Sequence, residues 1–340
     1  MCTSPAGSGS KRFRCRRIRR VYREIARNKR RSVVFIVVFF LIWMGVGAVL
    51  GLLFAAFYHP TNPYTGAVTN TGAAPIFVGI VIFAVLALFG CLYSVTSGAS
   101  LVLRVSGARP ADPAQYRRLY DLVSALAIGE GIPAPAIYVI DDPSPNAFAT
   151  GLSPDRASIT FTTGLLEIMN REELEGVIGH EMSHIKNHDT RLLLVVGTMI
   201  GMAALLASLL WRSAFFAGMG RGGRNSGVLI LVVAFAGALL AIVGFLVGPL
   251  IRLALSRRRE SLADVSGVEL TRNPAGLLSA LRKLQQNDKP FAKFNHATAA
   301  MCIDDPLQHH ETWFHHLYDT HPPIEERIAE LEKIASGQSV

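Results

Sequence analysis

His180-Glu181-Met182-Ser183-His184 sets two imidazoles four residues apart. That is just over one helical turn, so both rings leave the same face and can grip one metal ion. Glu181, beside the first histidine, is an acid suited to take a proton from water on the open side of the metal. A catalytic zinc keeps three protein ligands and one water, so the stretch implies a third ligand elsewhere. His188 is the nearest imidazole. It stands eight residues from His180, roughly 12 Å along a helix axis, too far for three rings to meet at one ion. Asn187 and Thr190 occupy positions where a metzincin needs Gly and His.

A better third ligand is Glu260, within Ser256-Arg257-Arg258-Arg259-Glu260-Ser261-Leu262-Ala263-Asp264. Asp264, four residues on, shares the helical face of Glu260 and is placed to accept a hydrogen bond from a ligating histidine, fixing its tautomer. By itself the segment also reads as an ordinary charged helix. The apolar runs next to it decide in favour of the ligand.

Those runs are the first of the elements that must position the site. Half of the 340 residues are hydrophobic and 17% are charged, below the usual quarter of a soluble domain. Residues 33–57, 76–97, 192–210 and 228–251 contain no Asp, Glu, Lys or Arg, and each is long enough to span ~30 Å of hydrocarbon as a helix. The first run is too long for a secretory signal and lacks a small-residue cleavage site, so it reads as an uncleaved anchor. Gly47 and Gly51, Gly197 and Gly201, and Gly244 and Gly248 have the spacing that lets helix backbones approach closely.

Net charge is +9, yet Lys11 to Arg31 holds twelve Lys or Arg against Glu24, so this tail carries +11 and the remainder −2. A basic tail before a membrane helix sets orientation and suits anionic lipid headgroups; nucleic acid is not expected as a partner. The bias places both termini in the cytoplasm, with residues 104–191 and 252–340 there too. The tip of the 192–251 hairpin carries Arg212, Arg221 and Arg224, outnumbered by Lys186, Arg191, Arg252, Arg257, Arg258 and Arg259 on the inner flanks. The helix of the histidines leads into the hairpin and the helix of Glu260 leaves it, so both abut one membrane face.

Within 104–191, Pro113 to Ile128 has helical spacing, and Ala136 to Ile140, Asn146 to Thr150 and Ser158 to Thr162 read as short strands. The spacing predicts a helix from the N-cap Asn170, with Glu172 and Glu173 in its first turn, running through the histidines toward the third apolar run. Cys2, Cys15, Cys91 and Cys302 have no paired spacing, which argues against a disulfide framework or thiolate zinc site. His309, His310, His315 and His316 lack carboxylate or cysteine spacing and read as a solvated surface or lid.

Taken together, these residues resemble the membrane-bound M48 zinc metallopeptidases of the HtpX heat-shock type. Four motifs carry the resemblance: Asn146-Ala147-Phe148-Ala149; His180 to Asp189; Arg259-Glu260 with Ala263-Asp264; and His321-Pro322-Pro323-Ile324-Glu325-Glu326-Arg327-Ile328. The long basic tail and His188 depart from the family pattern. The resemblance implies a mainly α membrane protein with four transmembrane helices and a cytoplasmic α+β zincin-like peptidase domain with a small β-sheet. Its parts are a tail (1–32), two spans (33–103), a first catalytic part (104–191), a hairpin of two spans (192–251) and a second catalytic part (252–340). It also implies one Zn²⁺ held by His180, His184 and Glu260, and Glu181 as general base and acid. Asn146 to Ala149 becomes an edge strand for an extended substrate. His321 stands near the zinc as an oxyanion donor or, on the residues alone, as part of a helix start, with Arg327 free to pair with Asp189. The implied setting is multi-pass in a membrane, the inner membrane in a bacterium, with misfolded or membrane proteins as substrates.

Two other classes compete. A non-catalytic scaffold stiffened by zinc has no need of Glu181, which is present beside both histidines. A transporter would place ionisable residues inside the spans, and the four runs hold none.

Overall fold

The computed structural model describes residues 36–56, 64–66, 72–219, 233–239, 257–286, 302–303 and 323–336, with Arg30, Val33, Val34 and Ala241 besides. The chain divides into two compact units: residues 1–33, 99–194 and 252–340 in one, and 34–98 and 195–251 in the other.

The first unit is built on a four-stranded mixed sheet: β1 (Arg109–Pro110), β2 (Ala136–Ile140), β3 (Ala147–Gly151) and β4 (Ala157–Thr162), in the order β1-β2-β4-β3. β2 and β4 run parallel, and the outer pairs are antiparallel. The three longer strands lie within a residue of their predicted ranges. β1 was not foreseen, since two residues ending in proline carry no alternation. The predicted helix from Pro113 starts later, as Arg117–Glu130, because Asp112 accepts a hydrogen bond from the Ala114 amide and holds the chain in a turn (2.9 Å).

The HExxH residues lie in the helix Arg171–Lys186. It starts at Asn170 because a capping box closes there: Asn170 Oδ1 accepts from the Glu173 amide (3.0 Å) and Glu173 Oε2 from the Asn170 amide (2.8 Å). Glu173 also accepts from Ser279 (2.6 Å) and Lys283 (2.7 Å), tying the cap to the helix Pro274–Gln285. Residues Ile178, Met182 and Ile185 are fully buried with Phe161, Ile159 and Leu277, so this helix is central to the core rather than an amphipathic surface helix. It packs against β3, Arg117–Glu130, Arg257–Thr271 and Pro274–Gln285, and the last of these packs against Ile324–Ala335.

The helix runs through both histidines toward the third apolar run, as expected, and stops short of it. It ends at Lys186, His188 adopts φ 58°, and a new helix spans Asp189–Met219. A non-glycine residue with positive φ breaks the helical hydrogen-bond ladder and redirects the chain.

Ile36–Ala56 in the second unit and Ala74–Val105, which lies in it as far as Gly98, are long and apolar enough to cross a membrane, the only two such helices among the described residues. Twenty-one residues make roughly 31 Å of helix. Phe77, Val85 and Phe89 are exposed on the second helix, the apolar surface a bilayer would cover. A Cβ at Gly47 would stand 2.3 Å from the Gly79 carbonyl oxygen, and one at Gly51 2.3 Å from that of Pro75, so this glycine pair permits close packing between the two helices. Gly201 has open space around it, and Gly244 and Gly248 lie outside the described residues. The run 192–210 falls within Asp189–Met219; of the run 228–251, residues 233–239 and 241 are described, as helix.

Candidate metal centre

The two histidines stand four positions apart, so their rings leave one face of the helix and meet edge to face, centroids 4.7 Å apart. Across from them stands Glu260, near the start of Arg257–Thr271. The helices can come this close because Gly179 and Gly267 face each other: a Cβ on Gly267 would lie 2.8 Å from the His180 nitrogen.

Three ligand groups converge. His180 Nε2 and His184 Nε2 are 3.1 Å apart, His180 Nε2 lies 3.6 Å from Glu260 Oε2, and His184 Nε2 lies 3.7 Å from Glu260 Oε1. A tetrahedral ion with bonds of ~2.1 Å separates its ligand atoms by about 3.4 Å. The separations are close to those between ligand atoms around one zinc ion, and His180, His184 and Glu260 are placed to hold one metal ion.

The far side of each ring fixes which nitrogen is free. His180 Nδ1 is 2.8 Å from Asp264 Oδ1, and His184 Nδ1 is 3.1 Å from Asp189 Oδ2. A carboxylate there favours the proton on Nδ1 and leaves the Nε2 lone pair for a metal. Each carboxylate has its own guanidinium. Arg327 binds Asp264 through Nη2 (2.7 Å) and Nε (3.0 Å), and Arg259 Nε lies 3.1 Å from Asp189 Oδ1. The expected pairing of Arg327 with Asp189 is thus corrected: the fork of Arg327 meets Asp264 instead, and Arg259 takes Asp189.

Charge counting reaches the same ion independently. Glu181, Asp189, Glu260 and Asp264 are buried with Arg259 and Arg327. Among the described residues these carboxylates outnumber the guanidiniums four to two, a balance that suits a bound cation. Without the ion, the histidines respond unequally. Burial lowers His180 to about 4, helped by Arg327 and opposed by Asp264. Burial would lower His184 too, but Glu260, Asp189 and Glu181 raise it to about 9. Asp264 would rise on burial, yet Arg327 and His180 hold it down at about 2.

Glu181 is buried between the two histidines in sequence, close enough to act on both His184 and Arg327. Ala147, Phe148 and Ala149 lie in β3, the end strand of the sheet order, and Asn146 directly precedes it. Part of that edge is taken by the chain itself: Phe148 bridges Cys302, and the Ile303 amide donates to the Ala147 carbonyl (2.9 Å). Ile303 in turn gives its carbonyl to Arg327 Nη1 (3.0 Å). His321 and the histidines at 309–316 lie outside the described residues.

Sequence reasoning missed Asp189 and Arg259 at the site. Arg259 had one signal, its place directly before Glu260. Asp189 closes the motif from His180, but helical spacing could not pair it with His184, because residues five apart on a straight helix diverge by about 140°.

Residues 113–335 match the model of peptidase family M48. The protease HtpX homologue of Lactobacillus helveticus is 37% identical over 318 residues, covering 92% of this chain and all of that protein. That of Caldanaerobacter subterraneus is 39% identical over 320 residues, 93% and 98% of the two chains. That of Dictyoglomus turgidum is 42% identical over 256 residues, 75% and 81%. The crystal structure of S. mikatae Ste24p, 19% identical, overlays 85% of this chain and 62% of that one with a TM-score of 0.45, too loose a likeness to carry an argument. A metal site of two imidazoles and a carboxylate, apolar helices of spanning length and a family match across residues 113–335 make one conclusion: the chain belongs to peptidase family M48, as a membrane zinc metalloprotease alongside the HtpX homologues.

Proposed function

We propose that this protein is an endopeptidase in which His180, His184 and Glu260 are the zinc ligands and Glu181 is the general base and acid. The observation that carries the reading is the convergence of two imidazoles and one carboxylate, all buried, at separations of 3.1 to 3.7 Å. Zinc, when bound, supplies a Lewis acid for the scissile carbonyl and brings the pKa of water toward about 7. Glu181 accepts the proton of the attacking water on its carboxylate and returns it to the leaving amine. Asp264 holds His180 in the tautomer that offers Nε2. Asn146, Ala147, Phe148 and Ala149 bind an extended substrate through main-chain groups where Cys302 and Ile303, which now pair with Phe148 and Ala147, give up that edge. His321 donates to the developing oxyanion.

The chain crosses the membrane four times, with residues 104–191 and 252–340 forming one cytoplasmic catalytic domain. The charge bias of the loops and the four uncharged runs support that layout. Its substrates are misfolded or partly extracted membrane proteins, in quality control, and its basic tail lies on anionic lipid. The test is casein cleavage by the full chain in detergent with zinc, against Glu181→Gln. The substituted chain is expected to keep zinc and lose about 10²- to 10⁴-fold in rate. Equal rates in the two would remove Glu181 from the mechanism, and no cleavage by the zinc-loaded native chain would sink the peptidase reading.

A further inference from the structure

We propose that Asp189, held by Arg259, is the positioning residue of His184, and that the left-handed turn at His188 is what delivers it. The inference rests on His184 being a metal ligand, as proposed above. Asp189 Oδ2 lies 3.1 Å from His184 Nδ1, while its other oxygen lies 3.1 Å from Arg259 Nε, and all three side chains are buried. With Nδ1 donating to the carboxylate, the Nε2 lone pair is left facing His180 Nε2 and Glu260 Oε1.

Local geometry would otherwise forbid this contact. On an unbroken helix, Asp189 would project about 140° away from His184. His188, with φ 58°, ends one helix before the next begins at Asp189, and the carboxylate folds back onto the ring. A left-handed histidine is uncommon, and at a functional site such a conformation points to a geometric need. The second half of the contact spans further. Arg259 is the neighbour of Glu260, so Asp189 ties the helix of the third ligand to the turn that follows the second. Each ligating imidazole thus has a carboxylate, and each carboxylate a guanidinium: His180–Asp264–Arg327 and His184–Asp189–Arg259.

The test uses the full chain in detergent, with zinc affinity measured by competition against a chromophoric chelator and ligand geometry by the visible spectrum of the cobalt form. Asp189→Asn is expected to bind zinc about 10- to 100-fold more weakly and to shift the cobalt bands. His188→Gly is expected to keep native affinity, since glycine takes positive φ freely, whereas His188→Val is expected to lose about tenfold. Native zinc affinity and an unchanged cobalt spectrum in Asp189→Asn would make the ion pair merely structural and overturn the proposal. If Asp189→Asn does not fold, equal affinities in His188→Gly and His188→Val would overturn it instead. Absence of zinc binding by the native chain would signal failure of the ligand assignment itself, and this inference would fall with it.

Discussion

Asp264 Oδ1 is shared: it lies 2.8 Å from His180 Nδ1 and 2.7 Å from Arg327 Nη2. One buried oxygen therefore sets the tautomer of a metal-facing imidazole and balances a guanidinium.

Asp264→Asn leaves Arg327 as a buried cation with less to neutralise it, a loss of about 3–5 kcal/mol for breaking a buried pair. It also weakens the orientation of His180, with zinc affinity expected to fall about 10- to 100-fold. Thermal unfolding of the metal-free chain reads the first effect and chelator competition the second. Native behaviour in both would remove Asp264 from the support of the site.

Arg327→Lys replaces a fork by a point charge. Arg327 reaches both oxygens of Asp264 and the Ile303 carbonyl at once, and an ammonium cannot keep all three. Hydrogen exchange at the Ile303 amide, now bonded to the Ala147 carbonyl, is expected to speed up. Unchanged exchange would show that Arg327 does not hold this segment on β3.

The metal-free chain is expected to be most stable near pH 6.5. His184, raised to about 9, contributes stability that is complete below its unfolded value of about 6.5 and is lost as pH climbs toward 9. His180, lowered to about 4, works the other way, and stability is lost as pH falls from about 6.5 through 4. Asp264 adds a further loss as pH drops through about 2. Zinc must displace the His184 proton, so its affinity is expected to rise about tenfold per pH unit below 9. Melting temperature and chelator competition across this range check both slopes; a pH-independent zinc affinity would refute the second.

Gly267→Val places a branched side chain where a Cβ already stands 2.8 Å from the His180 nitrogen. Backbone must move, at about 1–3 kcal/mol, and Glu260 moves away from the histidines with it. Zinc retained after dialysis is expected to fall together with melting temperature. Full retention at native stability would mean that the close approach of these helices is not needed.

Much of this was legible in sequence because it rests on local spacing. A four-residue interval puts His180 and His184 on one helix face, Asn170 caps that helix with Glu173, and Glu260 and Asp264 share a face by the same period. The uncharged runs needed only their length and composition. The two guanidinium partners were decided by tertiary structure. Arg327 meets Asp264 across 63 residues and Arg259 meets Asp189 across the core, and no sequence period links such pairs. Nor does periodicity foretell a left-handed histidine at position 188, since a repeat of apolar residues says nothing of the φ of a single residue. The sequence by itself determined which atoms can bind zinc; the fold decided which charges hold them still, because burial leaves each of those charges stable only where another side chain neutralises it.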